Sequence, residues 1–212
     1  MKNEFLKFMK EGNFSGTKEW LHKYVSNYYC DEFENKRAEE LTIIEIGVRD
    51  GADLALFSDW FHMSKIYGID INNIIKKDFM DIRASNGDGW YNTNVTDFKN
   101  FQFILGNAYK DSVVSKFEDN SLDYLIDDGS HTLGDQIKCI EKYLPKMKIG
   151  GKMIIEDVGC REPPAHNNPS AEKCIKAILD KAEESGCTHR TIDLRKQTKS
   201  TFSIIIEIKK ME

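Results

Sequence analysis

Short apolar runs alternate with helical patterns through most of this chain, and that alternation limits what it can fold into. Five runs have the length and composition of buried strands, at residues 42–46, 65–71, 101–105, 122–126 and 151–155. Helices are predicted at 53–61, 133–144 and 171–185, and a final hairpin at 188–194 and 201–208. Strands that alternate with helices form a parallel sheet with helices on both faces, and a terminal hairpin adds an antiparallel edge. The sequence therefore predicts an α/β, Rossmann-like fold with a seven-stranded, mostly parallel sheet.

The first 40 residues have a different, polar and aromatic pattern that is typical of helices. Thr17 is a plausible N-cap, and apolar side chains recur at helical spacing behind it, at Trp20, Leu21, Tyr24, Val25 and Tyr28. We expect a single domain over 1–212, with a helical cap over 1–40 and the Rossmann-like core over 41–212. Two segments, 84–100 and 159–170, fit no regular element and are predicted to be loops, the second overhanging one edge of the sheet.

Charge and cysteine content argue against several classes of partner. The net charge is -5, which gives no support for nucleic-acid binding, because that needs a concentrated basic surface. Five cysteines without a C-x-x-C spacing argue against a disulfide framework and for reduced thiols in a cytosol. No apolar run approaches membrane-spanning length, so we expect a cytoplasmic protein without a membrane partner.

Acidic residues gather at the ends of two predicted strands. The stretch 127–131 places two carboxylates, a turn glycine, a hydroxyl and an imidazole after the fourth strand, and Glu156-Asp157 ends the fifth. Chemistry in open α/β sheets collects beyond the carboxyl ends of strands, and adjacent parallel strands lie about 4.8 Å apart. Asp128, Glu156 and Asp157 could therefore share a Mg²⁺ or Mn²⁺ ion, since hard cations prefer carboxylate oxygens.

His131, three residues after Asp128, is the candidate general base. An imidazole ordinarily changes charge near neutral pH, so it can accept the proton of a hydroxyl while a cation stabilises the developing alkoxide. The simpler interpretations are a capping histidine and solvated strand-end acids. The joint pattern favours a metal site with a histidine base.

The end of the first strand indicates a nucleotide-type ligand. Gly47 and Gly51 let the backbone approach a ligand closely, although their spacing is not the G-x-G-x-x-G of dinucleotide binders. Glu45 favours a cationic ligand over a pyrophosphate, and S-adenosylmethionine carries a sulfonium and an ammonium. Asp70, at the end of the second strand, stands where an acid can bind ribose hydroxyls.

Two further residues are candidates for contact with such a cofactor. Arg49 could meet its carboxylate. Asp127 could face its methionine amine, or could simply satisfy backbone donors.

These motifs, together with Gly106-Asn107-Ala108, resemble those of class I S-adenosylmethionine-dependent methyltransferases. The resemblance implies that Glu45 and Gly47 border the methionine part of the cofactor and that Asp70 holds its ribose. Asn107 and Ala108 would lie near its adenine.

A narrower resemblance covers roughly residues 17–157. The segments 127–132 and 150–157 are similar to metal-dependent sugar O-methyltransferases of macrolide antibiotic biosynthesis, of the mycinamicin and macrocin types, and so is His22-x-Tyr24-x-x-x-Tyr28 with Phe33. Glu156 departs from that group, in which aspartate is more usual at this position.

The sequence thus predicts an O-methyltransferase that uses S-adenosylmethionine and Mg²⁺ or Mn²⁺ to methylate a sugar hydroxyl. Methylation of a catechol-like or other small hydroxylated metabolite is one alternative, and a non-catalytic nucleotide-binding module is another. The expected partner is a small-molecule or sugar substrate, and the sequence leaves open a homo-oligomer of the chain.

Overall fold

The computed structural model describes residues 4–12, 17–49, 51–72, 100–159, 170–198 and 200–212. The two predicted loops, at 84–100 and 159–170, lie almost entirely outside the described residues.

The described strands form one seven-stranded sheet, in the order β3-β2-β1-β4-β5-β7-β6. Their bounds are β1 Thr42–Ile46, β2 Lys65–Asp70, β3 Phe101–Leu105, β4 Leu122–Asp127, β5 Met147–Ile155, β6 Thr188–Asp193 and β7 Ile204–Lys209. The first five strands pair in parallel, whereas β7 runs antiparallel to both β5 and β6. The predicted α/β class, strand number and antiparallel hairpin are confirmed. Strand β5 begins earlier than predicted, and its register against β4 shifts between Leu122 and Tyr124.

The described helices flank this sheet on both faces. Their bounds are α1 Glu4–Glu11, α2 Thr17–Trp20, α3 Cys30–Phe33, α4 Ala52–Trp60, α5 Asp111–Val114, α6 Leu133–Tyr143 and α7 Ala171–Glu184. A π-helical turn, Val25–Tyr29, precedes α3, and a 3-10 turn, Leu144–Lys146, follows α6. The continuous helix expected after Thr17 is therefore broken. Lys23 has a φ of 58°, which no helical residue adopts, so the chain turns between α2 and the π-helical turn.

Each face of the sheet buries its own apolar layer. Helices α1, α3 and α4 cover one face with an aromatic cluster around Phe33, whose ring contacts Phe5, Tyr29, Phe57, Phe61 and Tyr124. Helices α5, α6 and α7 cover the other face with a mainly aliphatic layer. Central strands are buried on both faces, as in other parallel sheets, which explains their nearly continuous apolar runs.

The state of the cysteines differs in part from the reduced thiols that the sequence predicts. Cys30, Cys139 and Cys187 are buried free thiols, but Cys174 is disulfide-bonded, so the expectation of reduced thiols is wrong at that residue. Spacing along the chain does not reveal which cysteines meet in space.

None of the helices within the described ranges is long and apolar enough to cross a membrane.

Candidate active site

The candidate site lies between β1 and β4, where the order of the strands along the sheet reverses direction. Strands β1 and β4 are neighbours, but β1 leads outward to β2 and β4 leads outward to β5. Ligands of open α/β sheets bind at such a switch point, beyond the carboxyl ends of the strands. Asp128 donates its backbone N–H to Ile46 O at 3.0 Å, and Glu156 N–H donates to Asp127 O at 3.0 Å. The residues that follow β1, β4 and β5 are therefore held side by side.

Glycines allow the turns after β1 and β4 to pack directly against each other. Gly47 has a φ of 85°, and a Cβ added there would lie 2.1 Å from the carbonyl oxygen of Asp128. A Cβ at Gly129 would lie 2.5 Å from the Tyr109 hydroxyl oxygen. At Gly47 the close atoms belong to the backbone, so the space there admits only a hydrogen, whereas at Gly129 the Tyr109 side chain would have to move.

Two adjoining clefts open at this edge. The first, which we call the β2 cleft, has a volume of about 360 Å³ and is lined by residues that include Ile46, Gly47, Ile69, Asp70, Gly106, Asn107, Ala108 and Tyr109. The second, the histidine cleft, has a volume of about 480 Å³ and is lined by Leu21, His22, Gly47, Arg49, Asp70, Asn72, Asp128, Gly129, His131 and Asp157. Because the clefts share Gly47, Asp70, Asn72 and Gly129, one elongated ligand can occupy both.

The structure separates the predicted cofactor residues into two groups. Those that line the clefts are Gly47, Arg49, Asp70, Asn107 and Ala108. The others do not line the clefts: Glu45 and Asp127 are buried, and Gly51, with a φ of 81°, is the N-cap of helix α4.

Asp70 organises the wall between the clefts. One of its carboxylate oxygens accepts the backbone N–H of Arg49 at 3.0 Å, and the other accepts that of Asn72 at 2.7 Å. Arg49 has a φ of 53°, an uncommon conformation for a residue with a side chain. Each Asp70 oxygen retains a lone pair that can accept a ligand hydroxyl.

Asp127 is buried beneath the turn that follows β4. Its Oδ1 accepts the Tyr109 hydroxyl at 2.8 Å and the Gly129 N–H at 3.3 Å, whereas its Oδ2 has no hydrogen-bond partner within the described residues. Burial raises the pKa of this carboxyl group to about 6. An unpartnered buried carboxylate oxygen is costly unless a ligand satisfies it. No motif in the sequence pointed to Tyr109.

Three side chains in the histidine cleft form a group that could hold a metal ion. Asp128, His131 and Asp157 each offer one ligand atom, and these atoms lie within 4.8 Å of one another. His131 Nε2 is 3.9 Å from Asp128 Oδ1 and 4.0 Å from Asp157 Oδ2. His131 and Asp157 have φ values of 58° and 52°. Such backbone conformations cost free energy and are concentrated at functional sites.

Asp157 is also contacted from the N-terminal segment. Tyr24 donates its hydroxyl to Asp157 Oδ1 at 2.7 Å, and His22 Nδ1 lies 3.4 Å from the same oxygen and 3.0 Å from Ser203 Oγ. Burial lowers the pKa of His22. In the sequence, His22 and Tyr24 belong to a motif that resembles the sugar O-methyltransferases, but neither was predicted as a site residue. The structure brings both into contact with Asp157.

Glu156 occupies a different position from the one predicted for a metal ligand. Its Oε2 lies 2.6 Å from Lys18 Nζ, and its Oε1 accepts the hydroxyl of Tyr29. Among the described residues it does not join the group that Asp128, His131 and Asp157 form. Strand β5 ends at Ile155 and Asp157 has a φ of 52°, so the chain has left the extended conformation here, and Glu156 and Asp157 face different surroundings.

Lys18 is the largest addition to the predicted site. Its ammonium is buried against carboxylates from three strand ends and one helix, which we call the Lys18 nest: Glu45, Asp53, Asp128 and Glu156. Burial alone would lower the pKa of Lys18, but these carboxylates, led by Asp128, raise it well above its usual value. Burial raises the pKa of Glu45 and also that of Glu156, the latter to about 8, although Lys18 opposes both shifts. The lysine is therefore charged, and the nest holds more acid groups than it can neutralise.

Comparison with known proteins supports the fold of this site. No family model matches the chain. A curated relative, the mycinamicin VI 2''-O-methyltransferase of Micromonospora griseorubida, is 26% identical over 176 residues, an alignment that covers 76% of this chain and 40% of the relative. The chain thus spans less than half the length of that protein.

Two solved structures share the architecture at low identity. The MycE methyltransferase from the mycinamycin biosynthetic pathway, in complex with Mg, SAH and mycinamycin VI, superposes with a TM-score of 0.66 at 18% identity, over 100% of this chain and 55% of that chain. The fibrillarin pre-rRNA processing protein of Methanococcus jannaschii superposes with a TM-score of 0.59 at 17% identity, over 82% of this chain and 68% of that chain. The strand order, the glycine turn after β1 and these structural neighbours agree: the chain has the Rossmann-like fold of class I S-adenosylmethionine-dependent methyltransferases.

Proposed function

We propose that the chain transfers the methyl group of S-adenosylmethionine to a hydroxyl oxygen of a sugar, with the help of a divalent cation. The observation that carries this proposal is the position of His131 Nε2, about equally distant from two carboxylates in a cleft that continues into the β2 cleft. A base, a candidate cation site and a nucleoside-sized cleft meet at one edge of the sheet.

The residues of the β2 cleft fit the cofactor. Asp70 would bind the ribose hydroxyls, and Asn107 and Ala108 would border the adenine. The hydrogen-only space at Gly47 lets the ligand approach the backbone. Asp127 lines neither cleft; it lies beneath the turn after β4 and accepts the Tyr109 hydroxyl and the Gly129 N–H, so it would support this wall of the site.

Two carboxylates, rather than the three predicted from the sequence, are placed to bind a divalent cation. Asp128 Oδ1 and Asp157 Oδ2 would hold Mg²⁺ or Mn²⁺, and water and substrate oxygens would complete the octahedron. Glu156 is left out of the set, because Lys18 and Tyr29 engage its two oxygens.

The chemistry follows from these positions. When bound, the cofactor supplies an electrophilic methyl group and the cation lowers the cost of negative charge on the acceptor oxygen. His131 Nε2, which lies 3.9 Å from Asp128 Oδ1 and 4.0 Å from Asp157 Oδ2, accepts the hydroxyl proton as the oxygen–methyl bond forms and the methyl–sulfur bond breaks, and S-adenosylhomocysteine leaves. The walls of the joined clefts hold the two reactants in line, which removes much of the entropic barrier.

The choice of a sugar acceptor rests on the curated relative, which is a 2''-O-methyltransferase of mycinamicin VI. A catechol-like metabolite could present its hydroxyls to the same groups. A non-catalytic binding module would have no use for a histidine held at a φ of 58° between two carboxylates. The net charge of -5 gives no support for an RNA acceptor.

Binding and transfer assays test the proposal. Calorimetry should detect binding of S-adenosylmethionine, and radiolabelled methyl groups should appear on members of a panel of free, nucleotide-linked and macrolide-linked sugars. EDTA should abolish transfer, and added Mg²⁺ or Mn²⁺ should restore it. The proposal is wrong if the cofactor does not bind, if EDTA has no effect, or if transfer is seen only to catechols or to RNA.

Replacing the acids one at a time tests the revised cation set. We expect Asp157→Asn to weaken Mn²⁺ binding at least about tenfold, because ligands and their partners typically contribute factors of 10–100 to metal affinity. The matched control is Glu156→Gln, one residue earlier, which should weaken binding less than Asp157→Asn does, because the Glu156 oxygens face Lys18 and Tyr29. Titration of Mn²⁺ followed by electron paramagnetic resonance measures both. A larger loss in Glu156→Gln would restore Glu156 to the ligand set.

A further inference from the structure

Lys18 carries a buried positive charge that has no role in the methyl transfer proposed above. Its Nζ lies 2.6 Å from Glu156 Oε2, 2.7 Å from Asp128 Oδ2, 3.6 Å from Glu45 Oε1 and 3.7 Å from Asp53 Oδ2. The lysine side chain is only 3% exposed. A buried lysine is costly unless its charge is compensated, so this arrangement needs the surrounding acids.

The nest holds more carboxyl groups than ammonium groups. One ammonium faces four carboxyl groups, and the side chains of Glu45 and Glu156 are 2% and 1% exposed, so solvent screens them little. In addition, Glu45 Oε2 is buried and has no hydrogen-bond partner among the described residues. A buried carboxyl oxygen without a partner is costly, and a cation bound beside it would supply one.

Three acids of the nest also have the spacing of a cation site. Glu45, Asp53 and Asp128 each offer an oxygen, and these oxygens lie within 4.8 Å of one another. Lys18 Nζ lies within 3.7 Å of an oxygen of all three. The ammonium therefore stands where a small cation with carboxylate ligands would stand.

We propose that the Lys18 ammonium is a built-in substitute for a second cation: it fills a carboxylate site beside the histidine cleft and keeps metal ions out of it. This role also makes Lys18 a positioning residue, because Asp128 is held through Oδ2 while its Oδ1 faces His131. That second role rests on the proposed function, since it assumes that Asp128 Oδ1 binds a cation. Occupation of the nest does not depend on it.

Counting bound Mn²⁺ tests the proposal. Lys18→Met removes the charge and keeps the length of the side chain, and we expect it to bind one more Mn²⁺ per chain than the wild type in equilibrium dialysis with electron paramagnetic resonance detection. Adding Glu45→Gln to that variant should return the count to the wild-type value. The matched control is Lys176→Met, which removes an exposed lysine of α7 and should leave the count unchanged.

The counts separate failure of this proposal from failure of the proposed function. If the wild type binds no Mn²⁺ and Lys18→Met binds one, the cation site at His131 is wrong and the role of Lys18 stands. If both bind one, the role of Lys18 is wrong and the site at His131 stands. If neither binds any, both are wrong.

Stability provides a second measurement in case Lys18→Met folds poorly. If a cation can replace the ammonium, Mn²⁺ should raise the melting temperature of Lys18→Met more than that of the wild type, or restore folding where the metal-free variant is unfolded. A variant that remains unfolded at saturating Mn²⁺, or whose melting temperature rises no more than that of the wild type, overturns the proposal.

Discussion

His131→Asn is expected to lower kcat about 10²–10⁴-fold, the usual contribution of a general base. Asparagine keeps a polar side chain of similar reach and tolerates a positive φ better than most residues, so the turn at 58° should persist. What is lost is a group that can take up a proton between Asp128 and Asp157. Calorimetric affinity for S-adenosylhomocysteine should change little, because His131 lies in the histidine cleft and is absent from the lining of the β2 cleft.

His22→Asn is the matched control for this substitution. His22 lines the same cleft, but its Nδ1 lies beside Ser203 Oγ and Asp157 Oδ1, whereas His131 lies beside Asp157 Oδ2. A smaller loss of kcat is therefore expected. If His22→Asn costs more than His131→Asn, the base has been assigned to the wrong histidine. If His131→Asn instead weakens Mn²⁺ binding more than about tenfold, His131 is a metal ligand, as its distance to both carboxylates also permits.

The fold could be predicted because its determinants are local. Each central strand is a continuous apolar run, and the helices and glycine turns between the runs leave little choice except a parallel sheet. The break after α2 could not be read in the same way. Lys23 adopts a φ of 58° in a segment whose apolar spacing suggests an unbroken helix, and packing of the aromatic cluster overrides that local pattern.

Position along a strand determines which of the predicted residues come together in space. Asp70, Asp128, His131 and Asp157 meet at one cleft because the carboxyl ends of neighbouring strands share an edge. The direction of a side chain just beyond a strand end is harder to foresee, and so Glu156 was expected to face the cation rather than Lys18.

Lys18 left no trace in the sequence. Its strongest partners, Asp128 and Glu156, lie 110 and 138 positions away along the chain, and a lysine in a short polar helix ordinarily faces water. Tyr24 was part of a motif in the sequence, but its contact with Asp157, 133 positions away, could not be predicted either. Contacts of this kind depend on how the N-terminal segment packs across the sheet edge, which local periodicity does not encode.

Gly47→Ala is expected to destabilise the fold by about 3–5 kcal/mol, at the upper end of what single substitutions do. The added Cβ would lie 2.1 Å from Asp128 O and 2.8 Å from Gly129 Cα, and both are backbone atoms that no side-chain rotation can move aside. Relief would require the turns after β1 and β4 to separate. Asp128 would move with its turn, so affinity for both Mn²⁺ and S-adenosylhomocysteine should fall together with stability.

Gly150→Ala is the control that isolates the steric clash from backbone strain. Gly150 has a φ of 81°, close to the 85° of Gly47, but a Cβ there meets nothing within 4 Å. Only the conformational penalty remains, about 1–2 kcal/mol for a residue with a side chain in this region. Urea unfolding measures both variants, and calorimetry measures binding. Equal losses of stability in the two variants would contradict this prediction. They would show that the contact of Gly47 with the turn after β4 adds nothing to the backbone strain.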